Sequence, residues 1–268
     1  RFDSSQLAMT PVAAVREQLR LGATQIKLTA GGGISSAFDP IDSVQFTGDE
    51  VRAAVQAAAD WGTYVTVHAY TPIAIRRSIE AGVKCIEHAH LIDEQTMKLI
   101  AERNVFLSPQ AFLFGGGYAA LMPRAAGGPP RSETPAQVAQ RAKSELVGTG
   151  LDRMMTLAKK YKVKVAFGGD FFGAPMIYAA QSREFGARLK WFTSAEILQQ
   201  ATGVNGDLLA LSGPRNPYAG RVGVIEPGAM ADLLVVDGNP LEDIRVLEEP
   251  EKTLRVIVKD GRVVKSSL

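Results

Sequence analysis

Apolar and polar positions along the chain fall into a repeating order: a helix signal, a residue suited to a left-handed cap, then a short apolar run. Thr10-Pro11 is an N-cap followed by proline at the first helical position. The helix it opens runs out at Gly22, before the strand Gln25–Leu28. Thr47-Gly48-Asp49-Glu50 has capping-box spacing, and its helix ends at Gly62 before Tyr64–His68. Thr71-Pro72 opens the next, closing at Gly82 before Val83–Glu87, and Asp93 caps one that ends near Asn104 before Val105–Leu107. Thr134-Pro135-Ala136-Gln137 starts a long helix, Val163–Phe167 is the fifth strand, and Thr193-Ser194-Ala195-Glu196 caps a last helix reaching about Leu211. Glycine or asparagine after each helix suits a C′ position, which needs positive φ.

Strands alternating with helices predict a parallel sheet and an α/β fold. An open doubly wound sheet and a (β/α) barrel share this pattern, and five strands do not close a barrel of eight. After Leu211 the pattern changes. Arg221–Val224, Ala231–Val236 and Arg255–Val264 read as strands, the last with Asp260-Gly261 as a hairpin turn. The expected division is 1–213 for the α/β part and 214–268 for a small β unit.

Composition narrows the classes. With 268 residues, 46% of them hydrophobic, the chain can bury one sizeable core. A formal net charge of +2 gives no nucleic-acid footprint and no polybasic membrane patch. No apolar stretch reaches the roughly 18 residues of a transmembrane helix. The single cysteine, Cys85, lies in an apolar run and reads as a small buried hydrophobe.

The residues that carry chemistry gather at strand C-termini, which form the catalytic face of a (β/α) barrel. Lys27 lies in the first strand, His68 ends the second, His88 the third, and Asp170 follows the fifth in Gly168-Gly169-Asp170. An unpaired ammonium on a strand buried on both faces is costly, so a reacting lysine is the better reading of Lys27. Its neutral amine takes up carbon dioxide as a carbamate, a carboxylate able to bridge two metals. Imidazole and oxygen ligands suit zinc and similar divalent ions. An aspartate beside such a site binds metal and takes a proton from water. Each residue also has a plain structural role: a solvated lysine, hydrogen-bonded histidines, a turn aspartate. Arg76 and Arg77 read as a solvated helix face. Gly31-Gly32-Gly33 lacks a following Lys-Ser/Thr pair and reads as a turn that lets backbone approach the site. The glycine-rich insertion 109–135, with Phe112, Phe114 and Tyr118, is the candidate specificity lid.

The segments Ile26–Gly33, Val65–Tyr70, Ile86–His90 and Gly168–Asp170, with the tail Gly223–Pro240, resemble the amidohydrolase superfamily. The nearest branch is the imidazolonepropionase-like one, with Xaa-Pro dipeptidases, metal-dependent carboxypeptidases and ochratoxin-cleaving amidases. The resemblance implies strands four to eight of a (β/α)8 TIM barrel followed by half of a β-sandwich subdomain. It implies two divalent metal ions, zinc above all, with Lys27 as the carboxylated bridge, His68 and His88 as ligands, and Asp170 as ligand and proton shuttle. Tyr70 and His90 become substrate contacts, His90 because residues 88 and 90 share one side of a strand.

This chain has only three histidines, at 68, 88 and 90, so the family's His-x-His pair on the first strand is not in it. A partner segment from the N-terminal part of the same protein is expected to supply that pair. The 268-residue chain alone is expected to be unstable. A homo-oligomer is expected, without nucleic-acid or membrane partners. The implied reaction is hydrolysis of the amide C–N bond of a small peptide (Xaa-Pro or C-terminal residue) or N-acyl amino acid by a metal-bridging hydroxide. Alternatives are a cyclic-amide hydrolase of the imidazolonepropionase type, a non-catalytic phosphate-binding α/β module using the triple glycine, and an inert fragment.

Overall fold

The structure is a computed structural model that describes residues 11–36, 38–117, 134–171 and 175–268. Thr10, offered as the first N-cap, and most of the candidate lid, Tyr118 included, lie outside the described residues. The chain opens with α1 (Pro11–Arg20) and β1 (Ile26–Thr29), then α2 (Gly48–Asp60), β2 (Val65–Ala69), α3 (Pro72–Glu80), β3 (Cys85–His88), α4 (Glu94–Glu102) and β4 (Phe106–Ser108). The strands form one parallel sheet in the order β1-β2-β3-β4. Lys27 pairs with Thr66, Thr29 with His68, and Ala69 with His88. The predicted α/β class holds.

Local chemistry sets the helix ends. The Thr47/Glu50 and Thr193/Glu196 capping boxes form, and the Asp93 side chain accepts from the Thr96 amide. Gly22, Gly62, Gly82 and Asn104 all adopt positive φ just past their helices, which closes each last turn where a β-carbon is tolerated least. Thr71 sits at its N-cap without a side-chain bond, leaving Pro72 to start α3. Arg76 and Arg77 are half-buried rather than solvated: Arg76 bonds Asp93 and Thr96, and Arg77 reaches the Phe46 carbonyl.

The two faces of the sheet differ. One carries Ile26, Val65, Val67, Ile86 and Leu107, and it packs on Val15, Leu19, Val51, Ile75, Ile79, Met97, Ile100, Met154 and Met155 from the helices. Each fully buried aliphatic side chain of this kind contributes about 1.5–3 kcal/mol. The other face carries Lys27, Thr29, Thr66, His68, Glu87 and Ser108, and it is mostly polar, with Cys85 and Phe106 its apolar members. Alternation along each strand sends successive residues to opposite faces, so one short strand serves both core and site.

Several boundaries depart from the sequence reading. The fifth strand shrinks to a single bridge, Leu107 with Val165, framed by bonds from the Leu107 amide to the Lys164 carbonyl and from the Ala166 amide to the Leu107 carbonyl. The long helix after residue 134 is two, α5 (Pro135–Thr149) and α6 (Leu151–Lys160). They break at Gly150, where a β-carbon would lie 1.9 Å from the His90 carbonyl oxygen. Arg221–Val224 forms no strand. Its backbone lies against the helical turn at Thr202–Gly206 so closely that Gly206 and Gly223 have no room for a side chain. Beyond it, β5 (Leu233–Val236), β6 (Leu254–Lys259) and β7 (Arg262–Ser266) form an antiparallel sheet. Asp260 and Gly261, both at positive φ, make the predicted hairpin turn.

Candidate active site

The C-terminal ends of β1 to β4 and the segment after Val165 converge on one rim. His68, near the end of β2, and His88, at the end of β3, meet with ring centroids 4.5 Å apart. Tyr70 stacks on His88 at 5.0 Å and meets His68 edge-on at 4.9 Å. His90 sits 6.4 Å from His88 and packs against Phe114 at 4.4 Å. Four residues that the sequence singles out, His68, Tyr70, His88 and His90, therefore form one ring cluster. Phe114, from the described part of the candidate lid, closes one side of it.

The backbone at the end of β3 is bent sharply. His88 and Ala89 have φ of 74° and 57°, in the left-handed region that costs a non-glycine residue roughly 1–2 kcal/mol. The bend ends the strand at His88, so residues 88 and 90 do not share a face by strand alternation; they meet because the chain turns. Asp170 has φ 53°. Strained backbone of this kind collects at functional sites, where the surrounding structure over-determines it.

Burial sets the electrostatics. His88 is 2% exposed, and burial first, then the neighbouring His68 and His90, push its pKa well below the ordinary histidine value. Burial also lowers His68, with Lys27 adding to the effect and the Gly32 bond opposing it, and it takes His90 down to about 4. All three imidazoles are thus neutral near pH 7 and keep a lone pair. Asp170 lies open to solvent on one side, yet the atoms around it desolvate the carboxyl enough to raise its pKa against the pull of Lys27 and His68. Burial and the Asp170 charge push the Tyr70 hydroxyl up, so it stays protonated as a donor.

Lys27 departs from expectation. It is exposed, not enclosed on both faces. The reason is its position: β1 is an edge strand of the described sheet, paired only with β2, so the polar face above Lys27 is open. The burial argument for a reacting lysine therefore fails, although Lys27 is close enough for its charge to act on His68, His88 and Asp170. Among the described residues, no group of three His, Cys, Asp or Glu side chains is arranged to hold a metal ion by itself. Cys85 is fully buried and burial raises its thiol, as expected of a packing residue.

The triple glycine brings backbone to the rim. The Gly32 carbonyl lies 3.0 Å from His68 Nε2, and a β-carbon on Gly32 would meet the Pro40 carbonyl oxygen at 1.8 Å. Lys143 of α5 holds this loop by donating to the carbonyls of Gly33, Ser36 and Asp39.

Several residues at the site escaped the sequence reading. Glu87, paired with His68 in the sheet, accepts from Thr66 Oγ1 at 2.7 Å on the polar face. Gln110, two residues past β4, contacts His88 and His90. Glu184 and Arg188 form a fully buried ion pair at 2.8 Å. The Asn205 side chain pairs with both backbone groups of Phe167. Strand-end placement would have flagged Gln110. The i,i+4 spacing of Glu184 and Arg188 looks like a surface helix pair, and nothing in the sequence marks its burial.

Comparison with known proteins gives a consistent set. The sequence model of the amidohydrolase family matches residues 9–264. Ochratoxinase of Aspergillus niger is 30% identical over 257 residues, covering 94% of this chain and 48% of its own length. A prolidase crystallised with N-methylphosphonate-L-proline is 36% identical with a TM-score of 0.80, covering 96% of this chain and 58% of that one. A Xaa-Pro dipeptidase with methionine bound in its active site is 32% identical with a TM-score of 0.79, again covering 96% and 58%. The chain spans about half the length of the curated relatives it matches.

Proposed function

The chain belongs to the amidohydrolase family, and from that premise we propose that its protein hydrolyses the amide C–N bond of a small peptide, Xaa-Pro or C-terminal, or of an N-acyl amino acid. The observation that carries this reading is the meeting of His68 and His88, rings 4.5 Å apart, with Lys27 within electrostatic reach of both and Asp170 within reach of His68. Ochratoxinase and the two proline-directed peptidases among the relatives support the substrate class.

The donor chemistry fits divalent metal. Two neutral imidazoles and a carboxylate on a strained backbone are a nitrogen and oxygen set that suits zinc. His68, His88 and Asp170 would hold it, with Lys27, as its carbamate after taking up carbon dioxide, supplying the bridge between two ions. When bound, the metal polarises the scissile carbonyl and acidifies water.

The chain's own residues do the rest. Asp170, with its pKa raised and one side open, is poised to accept a proton and return it to the leaving amine. Tyr70, held protonated, offers a hydrogen bond to a substrate oxygen. His90, enclosed against Phe114 and Tyr70, shapes the wall behind the substrate.

The parallel sheet is read as the strand-four-to-eight arc of a (β/α)8 barrel and 214–268 as half a sandwich. Two observations support this: β1 has an unpaired side among the described strands, with an apolar groove lined by Ala14, Val15, Ile26, Leu28 and Phe46 beside it, and the β5–β7 sheet leaves Leu234, Val263 and Val264 exposed. A His-x-His pair from elsewhere in the polypeptide would complete the metal site.

The test is hydrolysis of a panel of Xaa-Pro dipeptides and N-acyl amino acids by the whole protein, before and after chelation and with zinc restored. Metal-dependent release of the free amino acid is the expected result. Cleavage of cyclic amides alone would transfer the protein to the imidazolonepropionase type. Equal activity with and without metal would overturn the reading.

A further inference from the structure

We infer that Gln110 is a positioning residue that fixes His88 in a single tautomer, protonated at Nδ1, and so leaves Nε2 free to bind metal. The inference rests on the proposed role of His88 as a ligand. Its first support is the direction of the Gln110 amide. Gln110 Nε2 donates to the Ser108 carbonyl at 2.9 Å, and Gln110 Oε1 lies 2.6 Å from His88 Nδ1. Reversing the amide would set two acceptors, Oε1 and the Ser108 oxygen, against each other. With Oε1 facing the ring it can only accept, so Nδ1 carries the proton. Hydrogen positions follow here from the network, since a neutral ring has one proton to place.

The main chain of the same residue orients the other histidine. His90 Nε2 lies 3.1 Å from the Gln110 carbonyl oxygen. That oxygen accepts, so His90 carries its proton on Nε2. Its Nδ1 is buried without a hydrogen-bond partner among the described residues. One residue thus places its two neighbouring histidines in opposite tautomers, and only His88 is left with a free Nε2.

Gln110 can do this because its backbone is clamped on both sides by a buried ion pair. Arg188 Nη2 donates to the Pro109 carbonyl at 2.7 Å, and the Glu184 carboxylate accepts from the amides of Ala111 and Phe112 at 2.8–3.1 Å. Arg188 and Glu184 are 0% exposed and bond each other. Arg188 Nη1 also donates to the Ala166 carbonyl, on the segment that leads to Asp170. The guanidinium therefore ties the segment that orients His88 to the segment that carries Asp170. Partners that hold the far nitrogen of a ligand histidine commonly set metal affinity by 10–100-fold.

The experiment is long-range 15N NMR of the metal-free protein at neutral pH, with zinc affinity measured by chelator competition on the same samples. His68, His88 and His90 are each assigned by their own substitution. The wild type is expected to show His88 protonated at Nδ1 alone. Gln110→Leu removes the acceptor and should give a mixture with the Nε2-protonated form and about 10–100-fold weaker zinc binding. Gln110→Glu, with its second carboxyl oxygen protonated against the Ser108 carbonyl, keeps an acceptor at Nδ1 and should keep the wild-type tautomer and stay nearer wild type in affinity.

Protonation of wild-type His88 at Nε2, or an unchanged tautomer in Gln110→Leu, would overturn the inference. Should Gln110→Leu not fold, the wild-type spectrum and Gln110→Glu still decide it. If the tautomers behave as expected but no sample binds zinc, the metal reading under the proposed function falls, while the positioning role of Gln110 stands.

Discussion

His88 and His90 are enclosed, while Lys27 and Asp170 on the same rim are open to solvent. The enclosed side is over-determined. His88 ends a strand with neighbours on both sides, its ring is bonded to Gln110, and Gln110 is pinned through the Glu184–Arg188 pair. The open side has little holding it: β1 is an edge of the described sheet, and Lys27 on it is exposed. One side holds shape, and under the proposed function the other meets substrate. The same distinction separates changes that should unfold the protein from changes that should only silence it.

The largest effect should come from the open side and touch activity alone. Asp170→Asn keeps the size of the side chain and removes the base, so turnover should fall about 10²–10⁴-fold with melting temperature close to wild type. Near-normal turnover would remove Asp170 from the proton path. On the enclosed side, Arg188→Met leaves the Glu184 carboxylate buried without its cation. Breaking such a pair costs about 3–5 kcal/mol, read as a lower midpoint in urea unfolding. A midpoint within error of wild type would mean that the clamp does not hold the fold.

Acid should loosen the enclosed side next. The three histidines have folded pKa values below the ordinary 6.5, with His90 near 4. Between those values the unfolded chain binds protons that the folded one refuses. Stability is therefore complete above pH 6.5 and falls as pH drops toward 4, by about 3 kcal/mol for His90 alone in the metal-free protein. A stability curve flat from pH 7 to 4.5 would contradict this. The smallest structural effect belongs to Lys27→Ala. Its side chain is exposed, so stability should change by less than about 0.5 kcal/mol while most activity is lost. Short carboxylates added to this variant should restore part of the rate if a lysine carbamate is the bridge. A large loss of stability would show that Lys27 is enclosed in the whole protein.

The contrast between the two sides also marks how far the sequence could be read. The helix and strand order, the caps at Thr47, Asp93 and Thr193, and the hairpin at Asp260-Gly261 were legible because each depends on neighbours within a few residues. The strand-end rule found Lys27, His68, His88 and Asp170 because alternation and parallel pairing place strand ends on one rim. The fifth strand was overstated and Arg221–Val224 was misread, because pairing needs a partner strand that a local pattern does not reveal. Lys27 was placed in a buried strand, because burial belongs to a strand's neighbours rather than to the strand.

What the sequence determined alone is therefore the α/β order, the helix ends and the candidate ligands. Only the tertiary structure decided that residues 88 and 90 meet through a left-handed bend, that Gln110 stands behind both, and that Glu184 and Arg188 form an interior clamp. The physical reason is separation along the chain. Glu184 bonds residues more than seventy positions away, and Arg188 joins Pro109 to Ala166. Such contacts leave no periodicity, since they are chosen by the packing of the whole sheet and its helices rather than by adjacent residues.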